Sequence, residues 1–79
     1  MNALIIEDNK QVVKDFAFCL QVRYPDAVIT SVAEGQKGLK EIASETFDLI
    51  MVDASLPDVE VLDLIAKIRE LSDAPLIVL

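Results

Sequence analysis

Four short apolar segments rich in β-branched residues alternate with three segments that carry apolar residues at helical spacing. The four apolar segments are residues 3–7, 27–32, 48–53 and 75–79. Three of them show little alternation of apolar and polar residues, which is typical of strands buried on both faces of a parallel sheet. The order βαβαβαβ therefore predicts a three-layer, doubly wound α/β fold with a parallel sheet, right-handed crossovers and helices on both faces.

Each intervening segment predicts an amphipathic helix. The apolar stripes are Val12, Val13, Phe16 and Leu20 in the first, Leu39, Ile42 and Ala43 in the second, and Val61, Leu64, Ile65, Ile68 and Leu71 in the third. Asp8 with Gln11, and Ser31 with Glu34, have the spacing of a capping box at a helix start. Two glycines, Gly35 and Gly38, should weaken the second helix by up to about 1 kcal/mol each relative to alanine.

Composition restricts the chain to one folded domain and limits its partners. Its 79 residues fit a single domain, 1–79, and its 53% hydrophobic content excludes an intrinsically disordered chain. Fourteen acidic residues against seven basic ones give a net charge of −7. That balance argues against nucleic acid and anionic membranes as partners, since both select basic patches. The absence of histidine excludes histidine-based catalysis and metal ligation.

An intracellular location is expected by default from the start of the sequence, and the single cysteine is consistent with it. Cys19 has no partner for an intrachain disulfide, and its apolar neighbours predict a buried, inert thiol. The apolar run at residues 1–6 is too short for a signal peptide, and two acidic residues follow at once. No apolar run approaches the roughly 18 residues needed to span a bilayer.

Acidic residues close two of the predicted strands. Glu7 and Asp8 end the first strand, and Asp53 ends the third. In a sheet of order 2-1-3-4 these two strands are neighbours about 4.8 Å apart, so the three carboxylates should converge at the carboxyl edge of the sheet. Each residue also has an ordinary interpretation, with Asp8 as a helix cap, Asp53 as a solvated strand-end acid and Glu7 as a surface charge.

Converging carboxylates favour a cation site. Like charges at this distance raise each other's pKa unless a cation intervenes. Oxygen ligands in an incomplete protein cage suit a hard divalent ion that keeps waters, most naturally Mg²⁺. A carboxylate beside such an ion can act as a nucleophile toward phosphorus and form an aspartyl-phosphate.

The chain resembles the receiver domain of two-component response regulators over its whole length, residues 1–79. The motifs that carry the resemblance are Ile5-Ile6-Glu7-Asp8-Asn9, Asp48-Leu49-Ile50-Met51-Val52-Asp53, Leu56-Pro57-Asp58 and Ala74-Pro75-Leu76-Ile77-Val78-Leu79. The combination is fairly specific to the family: an acid pair is followed forty-odd residues later by an aspartate, and a proline comes four residues after that. A lone Glu-Asp pair would not be specific.

The resemblance implies a flavodoxin-like fold with strand order 2-1-3-4 and roles for the matching residues. Asp53 would accept a phosphoryl group from a phosphohistidine of a sensor histidine kinase. Mg²⁺ would be held by Asp8 directly, by Glu7 through water, by Asp53 and by the backbone carbonyl of Ser55. The Ser55 side chain would modulate hydrolysis, although an ordinary loop serine is the alternative, and Pro57 would shape the loop. The family also implies a cytoplasmic location.

Three departures from the family pattern carry expectations of their own. Val61 stands where the family usually has glycine, so the loop after the third strand is expected to close differently. The sequence ends at Leu79, before the family's switch Thr or Ser, its lysine and its α4-β5-α5 elements. We therefore expect a partial receiver domain with weak Mg²⁺ binding and impaired phosphorylation and switching. We also expect a homo-oligomer formed through the exposed edge of the fourth strand.

Two other classes of function compete with a phosphoacceptor module. A phosphorylation-independent interaction or dimerisation module on the same fold is the main alternative. An enzyme is disfavoured, because phosphate-cleaving hydrolases with an aspartate after the first strand need a second aspartate two residues on. This chain instead reads Glu7-Asp8-Asn9-Lys10 there and has no glycine-rich phosphate loop.

Overall fold

The computed structural model describes residues 1–79 and contains four strands and three helices. The strands are β1 (Asn2–Ile6), β2 (Val28–Val32), β3 (Leu49–Val52) and β4 (Leu76–Val78), and the helices are α1 (Lys10–Arg23), α2 (Gly35–Ser44) and α3 (Val61–Leu71). All strands are parallel and form one sheet in the order β2-β1-β3-β4. The predicted fold class and strand order are therefore confirmed.

The register of the sheet brings the ends of its strands to one edge. Ile6, the last residue of β1, pairs with Val32 of β2 on one side and with Val52 of β3 on the other. Because the strands are parallel, the residues that follow them emerge together at the carboxyl edge. This register places Glu7 and Asp53 beside each other.

The main core lies between the sheet and the pair α2 and α3. Alternate side chains of β1 and β3 point to this face, where they meet Leu64 and Ile68 of α3. The buried members of this cluster are Leu4, Ile6, Ile42, Phe47, Ile50, Val52, Leu56, Leu64 and Ile68. Burial of each large aliphatic side chain stabilises the fold by about 1.5–3 kcal/mol.

Two glycines let α2 approach its neighbours closely. A Cβ atom at Gly38 would clash with the Ile6 side chain, and a Cβ at Gly35 would lie 2.5 Å from Cγ2 of Val59. The low helix propensity of these residues is therefore offset by a packing distance that no larger residue permits.

The starts of α1 and α2 differ from the predicted capping boxes. Asn9, not Asp8, caps α1, because its Oδ1 atom accepts from the backbone N–H groups of Gln11 at 3.0 Å and Val12 at 3.2 Å. The prediction for Asp8 was wrong by one residue. Asp and Asn are both good cap residues, so the point at which β1 ends decides which of the two caps the helix.

No capping box forms at α2. Ser31 lies within β2, and the cap residue Glu34 makes no side-chain hydrogen bond to the helix. Instead, the Asp58 carboxylate accepts from the N–H groups of Gly35 at 2.9 Å and Gln36 at 3.1 Å. This cap comes from the loop between β3 and α3, so the prediction for Ser31 and Glu34 was wrong.

Helix α1 lies on the sheet face opposite α2 and α3, as right-handed crossovers require. None of its residues is fully buried, and Phe18 and Val22 are about two-thirds exposed. Cys19 is also exposed, so the prediction of a buried thiol was wrong. Adjacent residues of a helix point in directions about 100° apart, so apolar neighbours in sequence do not fix the environment of one side chain. None of the three helices is long and apolar enough to cross a membrane.

Val61 is accommodated without backbone strain. It is the first residue of α3, and no residue of the chain has a positive φ angle. The preceding residue, Glu60, caps the helix by accepting from the N–H group of Asp63 at 3.0 Å. The position therefore takes a β-branched residue in ordinary helical geometry.

Candidate metal centre

The sheet itself fixes the backbone of two acidic residues. Backbone pairing continues one residue past the strands, where the N–H group of Glu7 donates to the Val32 carbonyl at 2.9 Å. In the same way, the N–H group of Asp53 donates to the Ile6 carbonyl at 2.8 Å. Glu7 and Asp53 are therefore held as rigidly as strand residues, a favourable basis for a preorganised site.

Three carboxylates converge at this edge of the sheet. One oxygen atom from each of Glu7, Asp8 and Asp53 lies within 4.8 Å of the other two. The Glu7 side chain is buried, Asp53 is half-buried and Asp8 is exposed, so the cluster has a closed inner end and an open outer end. The structure thus brings together the three acids that the sequence predicted to converge.

No basic side chain forms an ion pair with the acidic cluster. Burial of the Glu7 carboxyl raises its pKa, and hydrogen bonding to the Asp53 carboxylate raises it further. The N–H group of Asn9, 3.2 Å from Oε2 of Glu7, acts in the opposite direction. The only ion pair in the structure, between Lys37 and Glu34, lies elsewhere. A shared proton or a cation would relieve the repulsion.

The loop after β3 carries the other predicted site residues. Oδ1 of Asp53 accepts from the N–H group of Ser55 at 2.9 Å, which folds the start of the loop back on the acid. Ser55 and Pro57 are both exposed, whereas Leu56 between them is buried in the main core. Leu56 therefore anchors the loop, a role that the sequence reasoning did not assign; its place in an apolar-polar alternation after β3 was the available signal.

A cavity of about 360 Å³ adjoins the cluster between α1 and the ends of β1 and β2. Glu7 and Asp8 form part of its wall, together with Lys10, Lys14 and Ser31. The two lysines are four residues apart and so share one face of α1. The sequence analysis assigned these lysines no role. The wall of the cavity therefore carries both acidic and basic side chains.

The fold and this cluster define a class of protein. It is a doubly wound, parallel α/β domain with a cluster of three carboxylates, one of them from a half-buried aspartate, at the carboxyl edge of its sheet. Donor type and spacing fit a hard divalent ion such as Mg²⁺, which binds through carboxylates and retains waters.

Comparison with known proteins identifies the family. The sequence profile of the response regulator receiver domain matches residues 3–79. The chain belongs to this family. Receiver domains of response regulators generally act with sensor histidine kinases.

Individual relatives agree with this assignment. The chain is 28% identical over 78 residues to response regulator ArlR of Staphylococcus haemolyticus and 29% identical over 76 residues to ArlR of Staphylococcus aureus. These matches cover 99% and 96% of the chain but only 35% and 34% of the relatives. The chain thus spans about a third of the length of these curated relatives.

Solved structures share the fold. A CheY-like response regulator receiver domain from Methylobacillus flagellatus has a TM-score of 0.83 at 22% identity, covering 99% of this chain and 67% of that one. The N-terminal domain of a response regulator/sensory box/GGDEF 3-domain protein from Carboxydothermus hydrogenoformans has a TM-score of 0.83 at 20% identity, covering 99% and 62%.

Proposed function

We propose that this chain is the phosphoacceptor module of a two-component response regulator. Asp53 accepts a phosphoryl group from a phosphohistidine of a sensor histidine kinase, with Mg²⁺ bound beside it. The observation that carries the proposal is the convergence of three carboxylate oxygens within 4.8 Å at the end of two neighbouring strands. Such a cluster repels itself unless a cation or proton is present, so it is costly without a function.

The acids differ in how they would hold the metal. The resemblance to the receiver family implies that Asp8, which is exposed, coordinates the ion directly and that the buried Glu7 contacts it through a water molecule. Asp53 and the backbone carbonyl of Ser55 would complete the protein ligands. When bound, Mg²⁺ would neutralise charge that develops on the transferring phosphoryl group.

The transfer itself needs little from the protein beyond positioning. A carboxylate oxygen of Asp53 attacks the phosphorus, and the bond from phosphorus to the histidine nitrogen breaks, with its electron pair leaving on the imidazole. Backbone pairing to Ile6 holds Asp53, and the Ser55 N–H group orients its carboxylate. Ser55 follows at the mouth of the site, where its exposed side chain can modulate hydrolysis of the product, while Pro57 shapes the loop.

Phosphorylation of the chain by phosphoramidate in the presence of Mg²⁺ tests this proposal. Mass spectrometry should show one added phosphoryl group that hydroxylamine removes, as expected for an acyl phosphate. Asp53→Asn should abolish the addition, and Asp8→Asn should slow it. Addition to a different residue, or unchanged addition in Asp53→Asn, would contradict the proposal. Slow phosphorylation of the 79 residues stays a prediction, and the same assay measures that rate.

A second candidate is an interaction module that pairs through the sheet edge. β4 pairs only with β3, and its residues Ile77 and Val78 are nearly half exposed. Unpaired edge strands are templates for another strand, so a second copy of the chain is the expected partner. Sedimentation at increasing concentration should show dimers that Ile77→Lys disperses. A monomer at all concentrations would exclude this mode. The cytoplasmic location likewise stays a prediction.

A further inference from the structure

The start of α2 is held by a residue from a distant loop. The first two N–H groups of the helix, at Gly35 and Gln36, donate to Oδ1 and Oδ2 of Asp58 at 2.9 and 3.1 Å. The helix's own cap residue, Glu34, supplies no side-chain hydrogen bond. Asp58 therefore acts as the N-terminal cap of α2, although it lies 22 to 23 residues away in sequence from the N–H groups that it accepts from.

The same residue tethers the loop that follows Asp53. At one end of the loop, Oδ1 of Asp53 accepts from the Ser55 N–H group at 2.9 Å. Leu56 is buried in the core, and Val59 packs against it at the point where α2 begins. Asp58 adds the only side-chain hydrogen bonds between this loop and α2. The path of the Ser55 backbone is therefore set by Asp53 on one side and, on the other, by buried Leu56 together with the Asp58 link to α2.

We propose that Asp58 is a positioning residue for the metal site, because its double hydrogen bond to the start of α2 holds the Ser55 carbonyl in place as a ligand. The proposal rests on the proposed function, since it requires Mg²⁺ to bind at Glu7, Asp8 and Asp53. Asp58 itself does not touch the metal. By reciprocity of linked equilibria, Mg²⁺ binding must also strengthen the link between Asp58 and α2.

Mg²⁺ titrations of the chain and of a graded series at residue 58 test the proposal. Affinity is read from the amide shifts of Asp8 and Asp53, and the path of the loop from the ¹³C shift of the Ser55 carbonyl. Asp58→Asn keeps a neutral acceptor and should weaken Mg²⁺ binding about threefold, whereas Asp58→Ala should weaken it about tenfold, equivalent to about 1.4 kcal/mol. The Ser55 carbonyl response to Mg²⁺ should shrink in the same order.

Two control variants separate positioning from general effects. Arg69→Ala removes hydrogen bonds of 3.0 and 2.8 Å to the carbonyls of Ser72 and Ala74 beyond the far end of α3. It should destabilise the fold and leave Mg²⁺ affinity unchanged. Glu70→Gln removes the same unit of charge as Asp58→Asn from an exposed site on α3 and should also leave the affinity unchanged.

A measurement on the unaltered chain needs no variant. Mg²⁺ should slow hydrogen exchange at the Gly35 and Gln36 amides at least threefold, although neither is a proposed ligand. Equal Mg²⁺ affinity and an equal Ser55 response in Asp58→Ala, or no change in exchange at Gly35, would overturn the positioning role alone. Absence of saturable shifts at Glu7, Asp8 and Asp53 in the unaltered chain would overturn the proposed function and this inference together.

Discussion

Replacing Glu7 by glutamine should stabilise the chain when no divalent ion is present. One oxygen atom of the buried Glu7 carboxyl lies within 4.8 Å of a carboxylate oxygen of Asp8 and of Asp53. Two unit charges at that distance repel by about 3 kcal/mol at an effective dielectric constant of about 20. Burial of the Glu7 carboxyl raises its pKa, and hydrogen bonding to Asp53 and the nearby charge of Asp53 raise it further, so the fold disfavours the charged form. Glu7→Gln keeps the acceptor for the Asn9 N–H group and removes one of the repelling charges, so we expect a net gain of about 1–2 kcal/mol at pH 7, a part of that Coulomb repulsion.

Urea denaturation in EDTA and in Mg²⁺ measures the effect. In EDTA the variant should have the larger free energy of unfolding, and in a parallel thermal scan its melting temperature should be higher by about 4–8 °C per kcal/mol for a domain of this size. Mg²⁺ stabilises the unaltered chain by binding to it and should stabilise the variant less. The difference in free energy of unfolding between the two should therefore narrow or reverse in Mg²⁺. Glu70→Gln, on the exposed face of α3, is the matched control and should change little in either condition. A variant that is less stable in EDTA, or equally responsive to Mg²⁺, would refute the reasoning.

Three further predictions concern stability. Gly38→Ala should cost about 1–2 kcal/mol by urea denaturation, because overpacking against Ile6 outweighs the helix-propensity gain; a neutral or stabilising result would contradict the close approach. Hydrogen bonds from Gly35 and then Gln36 lower the pKa of Asp58 below 3.8, so its stabilisation is present above pH 3.8 and lost as the pH falls below it. Asp58→Asn should therefore have a lower free energy of unfolding than the unaltered chain at neutral pH, and the two values should converge only in strong acid. A stability difference that does not change with pH would exclude the charged Asp58 carboxylate as its source. Leu4→Ala should cost about 2–5 kcal/mol, whereas Phe18→Ala should stay within about 0.5 kcal/mol; equal costs would show that α1 is buried after all.

The sheet and the convergence of acids followed from local patterns in the sequence. An uninterrupted apolar run such as Ala3–Leu4–Ile5–Ile6 leaves no polar face, so it predicts a strand covered on both sides, and these residues are fully buried. Once β1 and β3 are neighbours in a parallel sheet, the residues that end them must meet. The position of Glu7 beside Asp53 is therefore a consequence of pattern and topology.

Contacts between segments distant in sequence were beyond such reasoning. Nothing near Ser31 or Glu34 reveals that Asp58 caps α2, because the cap depends on how the loop after β3 folds back. The low helix propensity of Gly38 was visible, but its compensation by Ile6 is visible only in the packed structure. The exposure of Cys19 likewise depends on which face of α1 meets the sheet.

The central claim is that the acidic edge of the sheet is a divalent-cation site. Titration of Mg²⁺ into the ¹⁵N-labelled chain, with amide shifts followed by NMR, tests it most directly. We predict saturable shifts at Glu7, Asp8 and Asp53 that are strongly weakened in Asp53→Asn. A well-dispersed spectrum with no localised shifts, or with shifts that Asp53→Asn leaves unchanged, would contradict the claim.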